Sequence, residues 1–521
     1  MTRAAEVIVG LDVGTTAVKG AAFGVQGASQ PVATALREYP LEQPEPGWQV
    51  QDPATVLAAI DAVLAECLDL LGGARVLAVS VSTAMHGLIG LDAQREAVTP
   101  LVTWADSRAG AEARELRGQG VALDLLERTG TPVHPMSPLV KLLWFSRRAP
   151  ELSKRVRWWV GLKDYVLLHL TGELVTELSS ASATGLLNVQ SRDWDVSAVE
   201  LAGIEPDQLP PVRPTTTVLA LTGSAARRTG LPAGLPVAVG AADGPLGNLG
   251  TGAISPGVAG LSLGTSGAVR MAVPAPTFDS AGRLFCYALT DDLWVSGGAI
   301  SNGGITLRWA GEALAPDLVA RGHADNELLA LAGRIPPGSD GLLMLPYVLS
   351  ERAPLWDPDI PGAFLGIRHH HSRGHFLRAA VEGVCLQLAA IVDALDTVSP
   401  VTSVRATGGS FRSVLWQQVM AGALGRPLII QAEAGGTALG AAALGWYALG
   451  GAPDLATALA AVGGSDAEPA PPVRVSAEDL AAYAQLRAGV PALITAYDQV
   501  ARMLSEPPGD RRRPDNPDAR R

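Results

Sequence analysis

Two stretches of the chain repeat one pattern, and this repeat decides the fold. The first is VIVGLDVGTTAVKG, from Val7 to Gly20, in which an apolar run leads to Asp12 and then to a turn of glycine and threonine. The second is GLSLGTSGAVR, from Gly260 to Arg270, in which Ser262 stands where the first copy has Asp12. Each copy predicts a strand, a tight turn and a second strand. The repeat therefore predicts an internal duplication with a ligand cleft between the halves.

Turns of this composition can bind phosphate, because backbone N–H groups and hydroxyl groups converge on one point. The residues that would do so are Thr15 and Thr16 in the first turn and Gly264 and Thr265 in the second. A carboxylate beside a phosphate needs a cation between them, so Asp12 is interpreted as an Mg²⁺ ligand, direct or through water. A single copy would be explained more simply as a plain hairpin turn. The duplication, with an acid in only one copy, favours a clamp on a nucleoside triphosphate.

Length and composition indicate a multidomain enzyme. A chain of 521 residues is too long for one ordinary core, and 48% hydrophobic with 17% charged residues can fill large cores. The formal net charge is −11, without a dense basic face, which argues against nucleic-acid binding. Three widely spaced cysteines predict buried free thiols. No signal peptide or membrane span is predicted, so the expected location is cytoplasmic.

Hydrophobic periodicity predicts mixed α/β structure in both halves. Strands are expected at Glu6–Asp12, Val18–Gly24 and Val76–Thr83, and a helix at Pro53–Leu71 after Asp52 as N-cap. In the second half a helix is expected over Ser372–Leu395.

Two further motifs identify a family resemblance. The chain has no GxxxxGK[ST] motif and no GxGxxG after a strand, which excludes P-loop and dinucleotide-binding interpretations. MSPLVKLLWFSRR (Met136–Arg148) and GAFLGIRHHHSRGHFLRAAVE (Gly362–Glu382) resemble the two signatures of the FGGY carbohydrate kinases, and the paired hairpins resemble the actin-like ATPase domain. The resemblance extends from about Val7 to Leu449.

The resemblance implies the fold class and the chemistry. The expected fold is α/β, with two actin-like ATPase (ribonuclease H-like) domains and a cleft between them. Residues 1–250 would form the N-terminal domain, 251–504 the C-terminal domain and 505–521 a disordered tail. The implied reaction is phosphoryl transfer from ATP, with Mg²⁺, to a sugar hydroxyl.

The resemblance also implies sugar-binding residues. STAMHGLIGLD places Met85 and His86 just after a strand, where related pentose and gluconate kinases contact the sugar. Alone, a histidine in such a turn is more simply explained as a structural residue. TWADSR places Asp106 and Arg108 after another strand, where the acid would bind sugar hydroxyls and the arginine an anionic group.

The remaining implied residues are the base and the nucleotide site. Asp243, in the Gly-rich turn of VAVGAADGPLGNLG, matches the catalytic base of the family, although an aspartate is also ordinary in such a turn. The nucleotide would lie against Gly304, Gly409, Ser410 and Ser413.

Local phrases of the sequence resemble those of kinases that act on D-gluconate more than those of xylulokinases. Xylulose or another polyol as substrate, and a sensor that binds sugar and ATP without turnover, stay open as alternatives. Arg108 and Arg308 are the candidates for the substrate carboxylate. The run His369–His371 is expected to be a polar loop rather than a metal site, and ERAPLW (Glu351–Trp356) is assigned a structural role. Homodimers occur in the family, and the sequence does not decide between monomer and dimer.

Overall fold

Two six-stranded sheets dominate the structure, a computed structural model that describes residues 5–25, 30–320, 324–431, 436–463 and 470–505. The strands of the first sheet, in chain order, are β1 (Glu6–Val13), β2 (Ala17–Gly24), β3 (Ala33–Glu38), β4 (Arg75–Thr83), β5 (Val218–Ala220) and β6 (Pro236–Ala242). The strands of the second sheet are β7 (Val258–Leu263), β8 (Gly267–Val273), β9 (Phe285–Ala288), β10 (Trp294–Ile300), β11 (Ser403–Thr407) and β12 (Leu428–Ile430).

The two sheets share one topology, which confirms the predicted duplication. Their orders are β5-β6-β4-β1-β2-β3 and β9-β10-β8-β7-β11-β12. In the first sheet β1, β2 and β3 are antiparallel neighbours, whereas β1, β4 and β6 are parallel. In the second sheet β7, β8 and β10 repeat the antiparallel part, and β7, β11 and β12 repeat the parallel part. Strands β5 and β9 are additions at one edge of each sheet.

Eighteen helices are described. In chain order they are α1 (Pro53–Leu70), α2 (Gly110–Gly118), α3 (Ala122–Thr129), α4 (Pro138–Arg148), α5 (Pro150–Ser153), α6 (Leu162–Thr171), α7 (Leu178–Ser182), α8 (Val196–Ala202), α9 (Gly223–Thr229), α10 (Asp243–Gly250), α11 (Ile305–Leu314), α12 (Pro316–Val319), α13 (Ala324–Ala332), α14 (Arg373–Asp396), α15 (Val414–Leu424), α16 (Gly436–Ala448), α17 (Leu455–Gly463) and α18 (Ala477–Ser505). Helices α1 and α14 begin and end within one residue of the predicted positions. Asp52 caps α1 by accepting from the N–H groups of Ala54 and Thr55 at 3.3 and 3.0 Å.

Short strand pairs and α2 to α8 are inserted between β4 and β5. The short strands here and elsewhere are Val50–Gln51, Ile89–Leu91, Leu101–Val102, Trp158–Val160, Thr176–Glu177, Leu187–Asn188, Asp193–Trp194, Val212–Arg213, Leu343–Leu345 and Ala363–Leu365. The insertion has an apolar core of its own, which includes Val140, Phe145 and Trp159. It carries the Met85–His86 and Asp106–Arg108 segments to the carboxyl edge of the first sheet.

The two halves meet through exchanged helices. Helix α10 follows β6 of the first half, and α16 follows β12 of the second, so the two helices occupy equivalent places. Gly10 of β1 lies against the backbone carbonyl of Ala438 in α16, and Gly260 of β7 lies against the side chain of Asn248 in α10. Both glycines stand two residues before the repeated position Asp12 or Ser262. Each half therefore places its helix on the first strand of the other half.

Helices α10 and α16 also touch each other through backbone atoms. A Cβ atom at Gly440 of α16 would overlap the carbonyl oxygen of Leu246 in α10, and one at Gly250 would overlap the carbonyl oxygen of Gly436. Apolar side chains from β1, β2, α10 and α16 close around this crossing as a separate cluster. The orientation of the halves thus depends on positions that admit no side chain.

Helix α14 is long and apolar enough to cross a membrane by length and composition, and 89% of its most apolar window is buried inside the protein. It is packed as a core helix of the second half. Helix α18 docks on α14 and α15, where the Tyr483 hydroxyl and the Arg378 guanidinium both bind the Glu382 carboxylate, at 2.9 and 2.8 Å. The described residues end at Ser505, so the predicted disordered tail, apart from Ser505 itself, lies outside them.

Gly440→Ala is expected to lower the free energy of unfolding by about 1–3 kcal/mol, because the new methyl group overlaps a backbone carbonyl that cannot rotate away. Thermal and urea unfolding measure the change. Gly489→Ala is the matched control, since Gly489 lies in α18 with open space around it; this change should raise stability slightly. Equal stability of both variants would show that the crossing tolerates a side chain.

Candidate active site

Asp12 and Asp243 lie at the same edge of the first sheet. Asp12 pairs with Ser82 of β4, and Ala242, which precedes Asp243, pairs with Thr83 of the same strand. Parallel strands are spaced by about 4.8 Å, so the two backbone positions are about 10 Å apart across β4. Burial raises the pKa of Asp12 to about 6, and the negative charge of Asp243 adds to the rise. The two carboxylates therefore lie near each other at this edge of the sheet.

A buried lysine lies between these acids. Lys163 of α6 donates to the carbonyl oxygens of Val81, Val239 (2.8 Å) and Ala241 (3.0 Å), where the pairing of β4 with β6 is irregular. Burial lowers its pKa to about 8. Its charge lowers the pKa of both Asp12 and Asp243, so it favours the ionised forms of both acids.

Asp243 is the first residue of α10 and is surrounded by donors. One carboxylate oxygen accepts from the N–H of Gly244 at 2.8 Å. Burial raises the pKa of Asp243, whereas the Arg270 guanidinium and the N–H groups of Gly244 and Met85 lower it. Arg270 comes from β8 of the second half, and its Nε would lie 3.1 Å from a Cβ atom on Gly244. A cation from the other half thus stands beside the predicted base.

Side chains from other parts of the first half hydrogen-bond to the tip of the first hairpin. Its backbone carbonyls accept from side chains, with the Tyr39 hydroxyl binding Gly14 and the Gln51 amide binding Thr15, both at 2.5 Å. The Trp104 indole N–H donates to the Thr15 hydroxyl at 2.8 Å. Thr16 is exposed at the tip, where it is free to meet a ligand.

The second hairpin forms one wall of a cleft of about 760 Å³. The carbonyl of Gly264 accepts from the N–H of Gly304 at 2.7 Å, and the carbonyl of Thr265 accepts from Gly303 at 3.1 Å. Gly408, at φ 116°, lies directly on the carbonyl of Leu263, where any side chain would collide. The predicted nucleotide residues that line this cleft are Gly264, Thr265, Gly304, Gly409, Ser410 and Ser413.

The cleft also contains Arg308, Arg412 and Trp416, whereas Asp12, Thr15 and Asp243 do not line it. Cations and an indole ring beside glycine-rich turns suit phosphates and a flat base. Arg308 therefore belongs with the predicted nucleotide residues and not with the sugar-binding ones.

The Met85–His86 segment faces Asp243. A Cβ atom on Gly244 would lie 2.9 Å from the Met85 methyl group. His86 has φ 62°, a conformation that is rare for a non-glycine residue and typical of functional sites. Its Nδ1 lies 2.7 Å from the carbonyl oxygen of Ala183, and burial lowers its pKa to about 3. The ring is neutral, so Nδ1 carries the proton and Nε2 can accept from a hydroxyl group.

A second buried lysine fixes this segment. Lys141 of α4 donates to the carbonyl oxygens of His86 and Thr103, both at 2.7 Å. Burial lowers its pKa to about 7. The lysine thereby connects the His86 loop to the loop that carries Trp104.

Asp106 and Arg108 bind each other. The Arg108 side chain donates to both carboxylate oxygens, at 2.8 and 2.7 Å, and Gln49 N–H donates to the same carboxylate at 2.7 Å. The Arg108 guanidinium also lies 3.7 Å above the Trp48 ring. The side chains of Arg108 and Asp106 are 3% and 0% exposed. This geometry favours a role in shaping the loop; direct contact of the pair with a sugar stays a prediction.

Sequence reasoning assigned no site role to four cations that the structure places around the opening, namely Lys141, Lys163, Arg270 and Arg352. A usable signal was present for Lys141, which interrupts an apolar helix in PLVKLLW.

No group of three or more histidine, cysteine or acidic residues that could hold a metal ion is found among the described residues. His369 and His370 are exposed and His371 is half-buried, and the Nδ1 of His371 accepts from the backbone N–H of Arg368 at 3.0 Å. Mg²⁺ needs only one or two carboxylates when phosphates and water supply the other ligands. Asp12 fits this requirement: one oxygen accepts from Ser82 at 2.9 Å and the other has no donor among the described residues.

Comparison with known proteins agrees with this geometry. Residues 7–250 match the N-terminal domain of the FGGY family of carbohydrate kinases, and residues 259–449 match its C-terminal domain. A gluconokinase from Bacillus subtilis (strain 168) is 38% identical over 451 residues, 85% of this chain and 88% of the relative. A xylulose kinase from Lactococcus lactis subsp. lactis (strain IL1403) is 32% identical over 399 residues, 75% of this chain and 77% of the relative.

Solved structures of similar proteins extend over almost the whole chain. A gluconate kinase from Lactobacillus acidophilus superposes with a TM-score of 0.87 at 30% identity, covering 97% of this chain and 99% of that one. A ligand-bound xylulose kinase from the same organism gives 0.88 at 31% identity, covering 96% and 100%. The chain therefore belongs to the FGGY family of carbohydrate kinases, with two actin-like domains and the family's catalytic cleft between them.

Proposed function

We propose that the protein is a gluconokinase, which transfers the γ-phosphoryl group of ATP to the terminal hydroxyl of D-gluconate. The products are 6-phospho-D-gluconate and ADP. The observation that carries this proposal is that Asp12 and Asp243 lie at one edge of the first sheet, with Arg270 of the opposite half beside Asp243. Gluconate is preferred over xylulose because the gluconokinase relative is 38% identical and the xylulose kinase relative 32%.

In the proposed mechanism, Asp243 removes the proton of the substrate hydroxyl as its oxygen attacks the γ-phosphorus. The bond from phosphorus to the β–γ bridging oxygen breaks, and ADP leaves with the electron pair. Mg²⁺, held through Asp12, would neutralise charge on the phosphates. The hairpin residues Thr15, Thr16 and Thr265 would hold the phosphates, and His86 Nε2 would accept from a sugar hydroxyl.

The nucleotide would occupy the 760 Å³ cleft with its base near Trp416 and Ser413. The three cysteines are buried and free, which fits a reducing compartment, so we expect the enzyme to act in the cytoplasm. A xylulokinase or other polyol kinase is the alternative within the family. A sensor that binds sugar and ATP without turnover is the alternative outside enzymes.

ADP release measured by a coupled assay with D-gluconate, D-xylulose, D-ribulose and glycerol tests the proposal. The highest kcat/KM is expected for gluconate. A preference for xylulose would replace the assigned substrate, and tight binding of sugar and ATP without ADP release would establish the sensor.

Asp243→Asn is expected to lower kcat by at least about 100-fold, because the amide cannot take the proton. ATP affinity, measured by calorimetry, should stay within about 3-fold of the wild type, because a loss confined to the chemical step is expected. Asp69→Asn, at an exposed position of α1, is the control and should leave both quantities unchanged. Near-normal turnover of the Asp243 variant would remove this residue from the role of base.

Asp12→Ala is expected to weaken the apparent affinity for Mg²⁺ by roughly 10-fold or more, because the carboxylate anchors the metal directly or through water. Titration of activity with MgCl₂ at fixed ATP measures the change. An unaltered Mg²⁺ dependence would contradict the metal role.

Arg270→Gln is expected to move the acid limb of the kcat/KM profile to higher pH. The Arg270 cation lowers the pKa of Asp243, so its removal raises that pKa, and a base must be ionised to act. Arg270→Lys keeps the charge and should keep the limb near its wild-type position. The same pH profile in all three proteins would show that Arg270 does not tune Asp243.

A further inference from the structure

The sugar-acid site needs a cation, and neither of the two arginines nominated from the sequence is placed to supply it. The Arg108 guanidinium donates to both carboxylate oxygens of Asp106, and the Trp48 ring covers it. Arg308 lines the nucleotide cleft with Gly409 and Ser410. A different cation must therefore face the loops of His86 and Trp104.

Arg352 occupies that place. Its Cζ lies 4.6 Å from the centre of the Trp104 ring, so a side chain of the second half reaches across to the first half. Its Nη2 donates to the carbonyl oxygen of Ile300 at 2.8 Å, and its Nε donates to the Ser301 hydroxyl at 3.2 Å. A guanidinium has five N–H donors, and the others have no acceptor among the described residues.

The segment that carries Arg352 is clamped to the end of β10. Glu351 accepts from the backbone N–H groups of Ser301 and Arg352, at 3.0 and 2.7 Å, and from the Asn302 amide at 2.6 Å. The carboxylate oxygens of Glu351 therefore accept hydrogen bonds from these backbone and amide groups and not from the Arg352 guanidinium. The cation is held rigidly without a carboxylate partner.

No carboxylate within the described part of the chain forms an ion pair with Arg352. Arg352 is half-buried, and burial lowers its pKa to about 10. The charges of Glu351 and Asp243 offset part of the cost of burying this cation, but neither carboxylate forms an ion pair with the guanidinium, so an anionic ligand at this place would bind favourably. The charge of Arg352 also acts on His86, His134 and Asp243, which locates it in the sugar region.

Two anions could meet this cation, a phosphate of ATP or the carboxylate of the substrate. The phosphates have their own donors in the two hairpins and in Arg308 and Arg412 of the nucleotide cleft. Arg270, beside Gly244, is the guanidinium at the reacting end of the site. Arg352 is fixed instead by Trp104 and the end of β10, away from the nucleotide cleft.

We propose that Arg352 binds the carboxylate of the sugar acid, while Asp243 activates the terminal hydroxyl. This inference rests on the proposed function and adds the residue that selects an aldonic acid. A neutral ketose would leave the guanidinium unpaired in the closed site. The ERAPLW segment, assigned a structural role from the sequence, would thus supply substrate specificity through Arg352 and structure through Glu351.

The test compares gluconate with D-glucitol, which has the same six-carbon chain but no carboxylate. In Arg352→Gln, kcat/KM for gluconate is expected to fall by roughly 10- to 100-fold, mainly through KM, because a charge-assisted hydrogen-bond pair is lost. The inhibition constant of glucitol and the KM for ATP should change by less than about 3-fold, since neither ligand uses that pair. Arg352→Lys should recover part of the gluconate affinity.

Arg308→Gln is the matched control and should raise the KM for ATP while leaving the KM for gluconate unchanged. Ser301→Ala, which removes one acceptor from Arg352, provides a milder variant if Arg352→Gln does not fold, as judged by thermal melting. It should raise the KM for gluconate without changing glucitol inhibition.

Equal weakening of gluconate and glucitol would show that Arg352 only supports Trp104, and weakening of ATP alone would assign it to a phosphate. Either result, or an unchanged KM for gluconate, overturns the inference while gluconate turnover by the wild type leaves the proposed function standing. A wild type that phosphorylates xylulose and not gluconate overturns both.

Discussion

The relative position of the two halves depends on the contact of two glycines with the helices of the opposite half. Gly10 lets α16 approach β1 to backbone distance, and Gly260 leaves room for the Asn248 side chain of α10 beside β7. Strand β1 carries Asp12 two residues later, and α10 begins with Asp243. Strand pairing within the first sheet sets the spacing of Asp12 and Asp243, and the packing between helix and strand holds the elements that carry them against the second half.

The second organising feature is an uneven distribution of charge. The first half contributes the acids Asp12 and Asp243, with Lys163 buried between them. The second half contributes Arg270 and Arg352, neither of which forms an ion pair among the described residues, although the charge of Asp243 acts on both. Bringing the halves together therefore places these cations beside the acids, in a site where anionic substrates must enter. Electrostatic groups that are already oriented in this way need no rearrangement during the reaction.

Much of the fold was predictable because local patterns and the repeat agreed. The hairpins, α1 and α14 follow from periodicity and caps, and the duplication gave the two sheets. The sequence could not show that Arg108 turns back onto Asp106, since the same residues would suit an open loop. It also could not distinguish a buried lysine such as Lys163 from one that extends along a helix to water. Partners of long side chains are decided by tertiary structure.

Because each half packs a helix against the other, substitutions at these contacts in one half constrain the residues allowed in the other. A substitution at Gly10 must be accommodated in α16, far away along the chain, and a change at Gly260 must be accommodated in α10. Neither half could be separated, recombined with a distant relative or expressed as an independent fragment without uncovering a groove shaped for the missing helix. The two halves can therefore change their ligand-binding residues independently, but they must keep matching surfaces where α10 and α16 make contact.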